Sequence, residues 1–157
     1  MRVSAKVDYA LRAMLELAAA GALVKAEQLA TAQSIPRKFL ETILLELRHA
    51  ELVSSQRGVE GGYTLARPAA EISVADVIRA VEGPIATVRG TRPEDVEYAG
   101  SAAALQSVWL DLRSAMRDVL EQATLEELVR SSLAKSDSAA RNRAPRTTGS
   151  TEGQVSD

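Results

Sequence analysis

One segment limits the fold more than any other. Arg57-Gly58-Val59-Glu60-Gly61-Gly62 is a turn-rich link between two short strand-like runs, residues 52–56 (Leu-Val-Ser-Ser-Gln) and 63–66 (Tyr-Thr-Leu-Ala). Such runs joined through adjacent glycines read as a β-hairpin. What precedes it is helical in period. Val7, Ala10, Leu11, Met14, Leu15 and Ala18 recur at helical spacing between a Ser4 N-cap and a Gly21 stop. A short second helix is expected over 26–33, with Leu29 and Ala30 inward. Ser34-Ile35-Pro36 then breaks the chain, because Pro suits a first helical turn and disfavours the α region in its predecessor. A third helix follows, with Leu40, Ile43, Leu44 and Leu47 as the i, i+3, i+4, i+7 set of a buried face.

Beyond the hairpin the period is helical again. Ser73-x-x-Asp76 opens a helix through Val77, Ile78 and Val81, which Glu82-Gly83-Pro84 stops. Residues 85–100 read as loop, with Glu94, Asp95 and Glu97 as a solvated, mobile surface. Ser101 is expected to begin the longest helix. Its stripe of Leu105, Val108, Trp109, Leu112, Met116, Val119 and Leu120 repeats at about 3.5 residues, as a helix–helix seam does. Thr124-x-x-Glu127 is a capping box for a last short helix, and the polar stretch from Ser136 onward is expected to be disordered.

Composition narrows the chemistry. The 157 residues contain no Cys and a single His, His49, which removes disulfides, thiolate metal sites and most histidine-based acid–base schemes. Aromatics are 3%, so the core rests on Leu, Val, Ile and Ala, which favours helices over a β-sandwich. No nucleophile–base pair or metal triad can be assembled, so the chain is not expected to be an enzyme or to carry a cofactor. Residues 1–67 hold nine Lys/Arg against seven acids, and residues 68–135 hold seven against eleven. A basic front half suits nucleic-acid binding at one end. Asp8, Arg12 and Glu16 interrupt the first apolar stretch, and no run approaches the roughly 18 apolar residues of a membrane span, so a cytoplasmic location with no membrane partner is expected.

Helix, short helix, turn, helix and hairpin is the order of a winged helix-turn-helix. With Leu40, Ile43, Leu44 and Leu47 anchored inward, the opposite face of the third helix is free for a major groove. At about 100° per residue, Lys38, Glu41, Thr42, Leu45 and His49 lie on that face, with Arg37 near its N-terminal end. Lys38 suits guanine or a phosphate, Thr42 a base edge or thymine methyl, and Glu41 a cytosine amino group. In the hairpin, Arg57 beside Gly58 suits a wing entering a narrow minor groove, and Tyr63 completes the set of wing candidates. Any amphipathic helix has a polar outer face, and any Gly-rich hairpin can carry a solvated Arg. A winged-helix module that binds a partner protein, controlling it or controlled by it, is therefore the alternative. A phosphate-cradling nucleotide site lacks its Gly-Lys-Ser/Thr or strand–GxGxxG–helix context.

Several runs together resemble one family. Asp8-Tyr9-Ala10-Leu11-Arg12, Phe39-Leu40-Glu41, Leu47-Arg48 and Leu52-Val53 precede Arg57-Gly58-x-x-Gly61-Gly62-Tyr63-x-Leu65-Ala66-Arg67, and Ile72-Ser73-Val74-x-Asp76-Val77 and Val81-Glu82-Gly83-Pro84 follow it. Over about residues 1–133 the chain resembles the Rrf2 family of bacterial transcriptional regulators. The resemblance implies a homodimer that binds double-stranded DNA at a palindromic operator and mostly represses. It further implies a mainly α fold with a small β-hairpin wing and a long dimerisation helix. The expected units are a winged helix-turn-helix over 1–84, a loop at the family's effector position over 85–100, a dimerisation helix and short C-terminal helix over 101–135, and a tail over 136–157.

Leu105, Val108, Trp109, Leu112, Met116 and Val119 are the expected dimer contacts, with a ligand-pocket lining as the other reading of Trp109 and Met116. Many relatives ligate an iron–sulfur cluster with three cysteines in the loop, and none is present here. Asp8 matches a carboxylate cluster ligand of one branch, but one carboxylate cannot hold a cluster, and its charge is read as complementing the helix N-terminus. No cluster is expected, and the effector, small molecule or protein, is left open.

Overall fold

The computed structural model describes residues 2–143. Helix α1 (Ala5–Ala20) starts where the Ser4 hydroxyl accepts the Val7 N–H at 3.1 Å, and ends at Gly21 in the left-handed region, φ 59°. Helix α2 (Ala26–Gln33) ends on Ser34, and α3 (Arg37–His49) begins directly after Pro36. Both boundaries are as the Ser-Ile-Pro break requires. Leu40, Ile43, Leu44 and Leu47 are buried together with Met14 and Leu17 of α1 and Leu29 of α2.

Strands β1 (Val53–Gln56) and β2 (Gly62–Leu65) pair antiparallel, Val53 opposite Leu65 and Gln56 opposite Gly62. The α1–α2 linker adds a single-residue bridge. Val24 donates to the Tyr63 carbonyl at 2.9 Å, and the Tyr63 N–H donates to Val24 at 2.8 Å. The hairpin is thus tied by backbone bonds to the helical part of the domain, which fixes how it leans beside α3.

Helix α4 (Val74–Glu82) carries the expected capping box. The Asp76 N–H donates to the Ser73 hydroxyl at 3.1 Å, and the Ser73 N–H to the Asp76 carboxylate at 3.0 Å. Helix α5 (Leu105–Gln122) starts four positions after the expected Ser101, because residues 100–102 wind as a 3₁₀ turn from Gly100 at φ 58°. Such tight turns commonly lead into helices.

The C-terminal helix departs further from expectation. Helix α6 (Leu125–Arg143) has 19 residues against 18 in α5, so it is not short and does not stop at Ser136. Leu125 is wholly buried in the core, its N–H donates to Ile72 at 2.9 Å, and Val74 donates to Ala123 at 2.9 Å. Once that first turn is anchored, each further residue adds a hydrogen bond at low cost. Ser136, the first residue of the stretch expected to be disordered, is absorbed into the helix: its hydroxyl donates to the Ser132 carbonyl one turn back at 3.1 Å, as that of Ser132 does to Leu128 at 2.9 Å. Because α6 packs on α1, it belongs with the N-terminal core and not with α5 alone. The rest of the expected tail lies outside the described residues. Among those described, no helix is long and apolar enough to cross a membrane.

Candidate nucleic-acid interface

With four leucine and isoleucine side chains of α3 turned inward, the residues between them are forced outward. Arg37, Lys38, Glu41, Thr42, Leu45 and His49 are all exposed, as helical placement requires. Arg37 and Glu41 pair with each other at 3.1 Å, one turn apart, which leaves Lys38 as the cation of the first turns without a salt bridge among the described residues. The Thr42 hydroxyl donates to the Lys38 carbonyl at 3.2 Å. Its proton is spent on the helix, so an acceptor oxygen and the methyl are what Thr42 offers outward. His49 lies in the last turn of α3.

One exposed residue of α3 was not singled out by the periodicity. Phe39 is 58% exposed and lines a shallow depression with Lys38, Thr42 and Ile43. Its ring meets Tyr9 edge-on at 6.3 Å, and the Arg12 guanidinium covers Tyr9 at 4.9 Å. Arg12 is held in turn by Asp8 at 3.1 Å and by the Gln33 carbonyl at 2.9 Å. A large aromatic ring left on a mostly polar face, which otherwise carries only Leu45 as a large apolar residue, is the available signal.

The hairpin supplies the second cationic element. Arg57 is exposed at the first position after β1, next to Gly58 at φ 106°. Gly61 and Gly62 work differently from Gly58. They are packed against the chain's own backbone at Gln56 and Val24, so they build the turn and do not thin the surface. Tyr63 is half-buried and leans on the core. A groove of about 460 Å³ runs between the start of α2 and the hairpin, and Lys25, Arg48, Arg57 and Tyr63 are on it, with no acid in its lining among the described residues. Arg48 is steadied by a bond to the Ser55 hydroxyl at 3.2 Å. Lys25 and Arg48 are missed by a helical-wheel reading, since only the folded hairpin brings them beside Arg57.

Helix α5 shows two apolar faces where one stripe was expected. Leu105, Val108, Leu112 and Val119 are 37, 53, 48 and 68% exposed. Trp109, Met116 and Leu120 turn instead toward α4 and the loop, where with Leu112 they line a hollow of about 450 Å³. The Trp109 ring N–H donates to the Tyr98 hydroxyl at 3.0 Å. The loop is fastened to α5, not free: the Gln106 amide donates to the carbonyls of Pro93, Glu94 and Val96, at 2.8 Å to the last. Glu94, expected to be solvated, pairs with Arg113.

A family model described as "Rrf2: Iron-dependent Transcriptional regulator" matches residues 3–131. A Mycobacterium tuberculosis protein assigned as HTH-type transcriptional regulator Rv1287 is 53% identical over 130 residues, 82% of this chain and 81% of that protein. The CymR regulator of Bacillus subtilis is 34% identical over 82% of this chain and 89% of its own length. The solved structure of CymR, "the Global Cysteine Regulator of B. subtilis", aligns with a TM-score of 0.71 at 32% identity over 83% of this chain and 97% of that one. That of T. potens IscR gives 0.66 at 30% identity, covering 93% of each. The iron in the family description meets no suitable donor set here. The chain has no Cys, its one His is exposed on α3, and Asp8 is paired with Arg12. Among the described residues no three His, Cys, Asp or Glu side chains gather where an ion could be held.

Proposed function

The chain belongs to the Rrf2 family of DNA-binding transcriptional regulators, which are not enzymes, and from that premise we propose that it acts as a homodimeric repressor on a palindromic operator. The observation that carries this reading is the pairing of an exposed Lys38–Thr42 edge on α3 with an acid-free cationic groove beside the hairpin. In it, α3 enters a major groove with Lys38 on guanine, and with the Thr42 and Phe39 apolar surfaces toward thymine methyls. Arg37, Glu41 and His49 flank that contact. Lys25 and Arg48 follow the phosphates, while Arg57 and Gly58 reach the adjoining minor groove, best where A·T pairs narrow it. Residues 1–84 thus form the reading domain and α5 the seam between two copies.

Selection of binding sites from a random pool tests the assignment. Lys38→Ala and Thr42→Ala should each relax one position of the consensus, at a cost of about 1–3 kcal/mol. Arg57→Ala should weaken binding and flatten its dependence on salt. An unchanged consensus in the first two variants would put the wrong face of α3 in the groove. A salt-independent interaction would favour a protein partner at this surface instead.

A further inference from the structure

Charge in the second half of the chain is sorted unevenly. Residues 68–135 have an excess of acids, seven Lys/Arg against eleven Asp/Glu. Yet four of those seven cations, Arg79, Arg92, Arg113 and Arg117, line one hollow of about 530 Å³ between α4, the loop and α5. No residue of α2, α3 or the hairpin takes part in it. Gathering four like charges costs Coulomb energy unless counter-charge is near, and the chain supplies only part of it. Glu121, the one acid of the lining among the described residues, accepts from Arg79 and, at 3.2 Å, from Arg117. Arg113 pairs with Glu94, and Asp76 is 3.7 Å from Arg79. Arg92 has no salt bridge among the described residues.

The wall between Pro84 and Ala86 is also unusual. Ala86 lines the hollow with φ 57°, left-handed without being glycine. A non-glycine residue stays there only where its surroundings impose it, and such positions gather at ligand sites and switches. The volume lies in the range of small-molecule sites. Planar guanidinium forks match carboxylate and phosphate oxygens two at a time, and Glu121, one of whose carboxylate oxygens accepts from both Arg79 and Arg117, already shows these arginines converging on an oxyanion.

We propose that this hollow is a binding site for a small polyanion, a molecule bearing two or more carboxylate or phosphate groups, with Arg92 as its free fork and Arg113 and Arg117 shared with their acids. Duplex DNA is the competing source of phosphate. It is disfavoured because the hollow is concave and shares no residue with α3 or the hairpin. The proposal does not depend on the DNA reading of α3.

Calorimetric titration of the full chain with citrate and with pyrophosphate, at constant ionic strength, tests it. At least one probe should bind saturably, one per chain. Arg92→Ala should weaken that binding about tenfold or more, Arg92→Lys should restore only part of it, and Arg130→Ala should leave it unchanged. No saturable heat with either probe, or equal binding by Arg92→Ala, would overturn the proposal. So would a loss of affinity for a random-sequence duplex in Arg92→Ala without any added anion, which would assign the arginines to the DNA backbone.

Discussion

A Cβ built on Gly61 would lie 2.2 Å from the Gln56 carbonyl oxygen, and one on Gly62 would lie 2.7 Å from that of Val24. Neither neighbour is a side chain that can swing aside, so the glycines let three pieces of backbone meet. Gly58 is different: its Cβ would meet nothing within 4 Å, and only its φ of 106° resists a side chain. Gly61→Ala and Gly62→Ala should each destabilise by about 1–3 kcal/mol through forced backbone movement. Gly58→Ala should fall at the lower end of that range, since backbone strain is its only cost. Chemical denaturation of the three variants checks the order. If Gly58→Ala were the worst, the close approach of Val24 to the hairpin would not be holding the wing.

At the scale of elements, the helices that bury a full face were legible, while the faces of α5 and the length of α6 were not. The α3 boundaries and its four core residues follow from the spacing of Leu40, Ile43, Leu44 and Leu47 and from Pro36 before them. On α5 the spacing was equally regular, but it merged two faces. Trp109 and Met116 serve the chain's own loop, while Val108 and Val119 face out. Periodicity reports that a residue is apolar, not which neighbour covers it. The bonds that fasten the loop also escape a linear reading, since Gln106 and Arg113 meet partners 10 and 19 residues away only once folded.

One of the elemental ties is sensitive to acid. Glu121 of α5 accepts from Arg79 of α4 and from Arg117, and these donors hold its carboxyl below the ordinary value. A carboxyl depressed on folding contributes stability above its unfolded pKa, about 4.3 for Glu, and loses it as pH falls through the lower folded value. The stability difference between the parent and Glu121→Gln should therefore shrink steadily below that point and stay constant above it. Ser73→Ala acts at all pH values. It removes a nearly buried cap from α4 and should cost about 1 kcal/mol in denaturant.

On the scale of the whole molecule, α6 returns to close the core around Leu125, so α5 is left standing with Leu105, Val108, Leu112 and Val119 uncovered. With Ala115, also exposed, these residues follow a three–four spacing along one edge, which is the spacing of a seam between helices. A second copy placed on that edge by two-fold symmetry sets two α3 helices about one DNA turn apart, or a multiple of it. Val119→Glu separates this role from folding, because the side chain is already mostly exposed in the single chain. Sedimentation should find the parent dimeric at micromolar concentration, and Val119→Glu monomeric with its thermal unfolding little changed. A parent that sediments as a monomer would sink the seam and, with it, the palindrome.

Such a dimer lacks the chemistry by which a thiolate-held cluster senses its surroundings. Cluster irons need thiolates or an equal set of donors. Two copies of Asp8, each already paired with Arg12, leave most iron valences unfilled. Thiol oxidants have nothing to attack in a chain without Cys. Of the three Met, Met14 is buried in the core, which leaves Met116 as the described sulfur nearest to the loop and solvent. Methionine reacts on a different ladder from thiols, and its first product is reversible by a reductase. Protein purified without oxygen should therefore be colourless and free of stoichiometric iron. Its affinity for operator DNA should be the same after nitric oxide, diamide or a chelator. Peroxide should act only at doses that oxidise Met116, and Met116→Leu should abolish even that response. A brown, iron-bearing preparation, or an operator affinity that moves with diamide, would mean that redox input reaches this regulator by a donor set the chain does not itself contain.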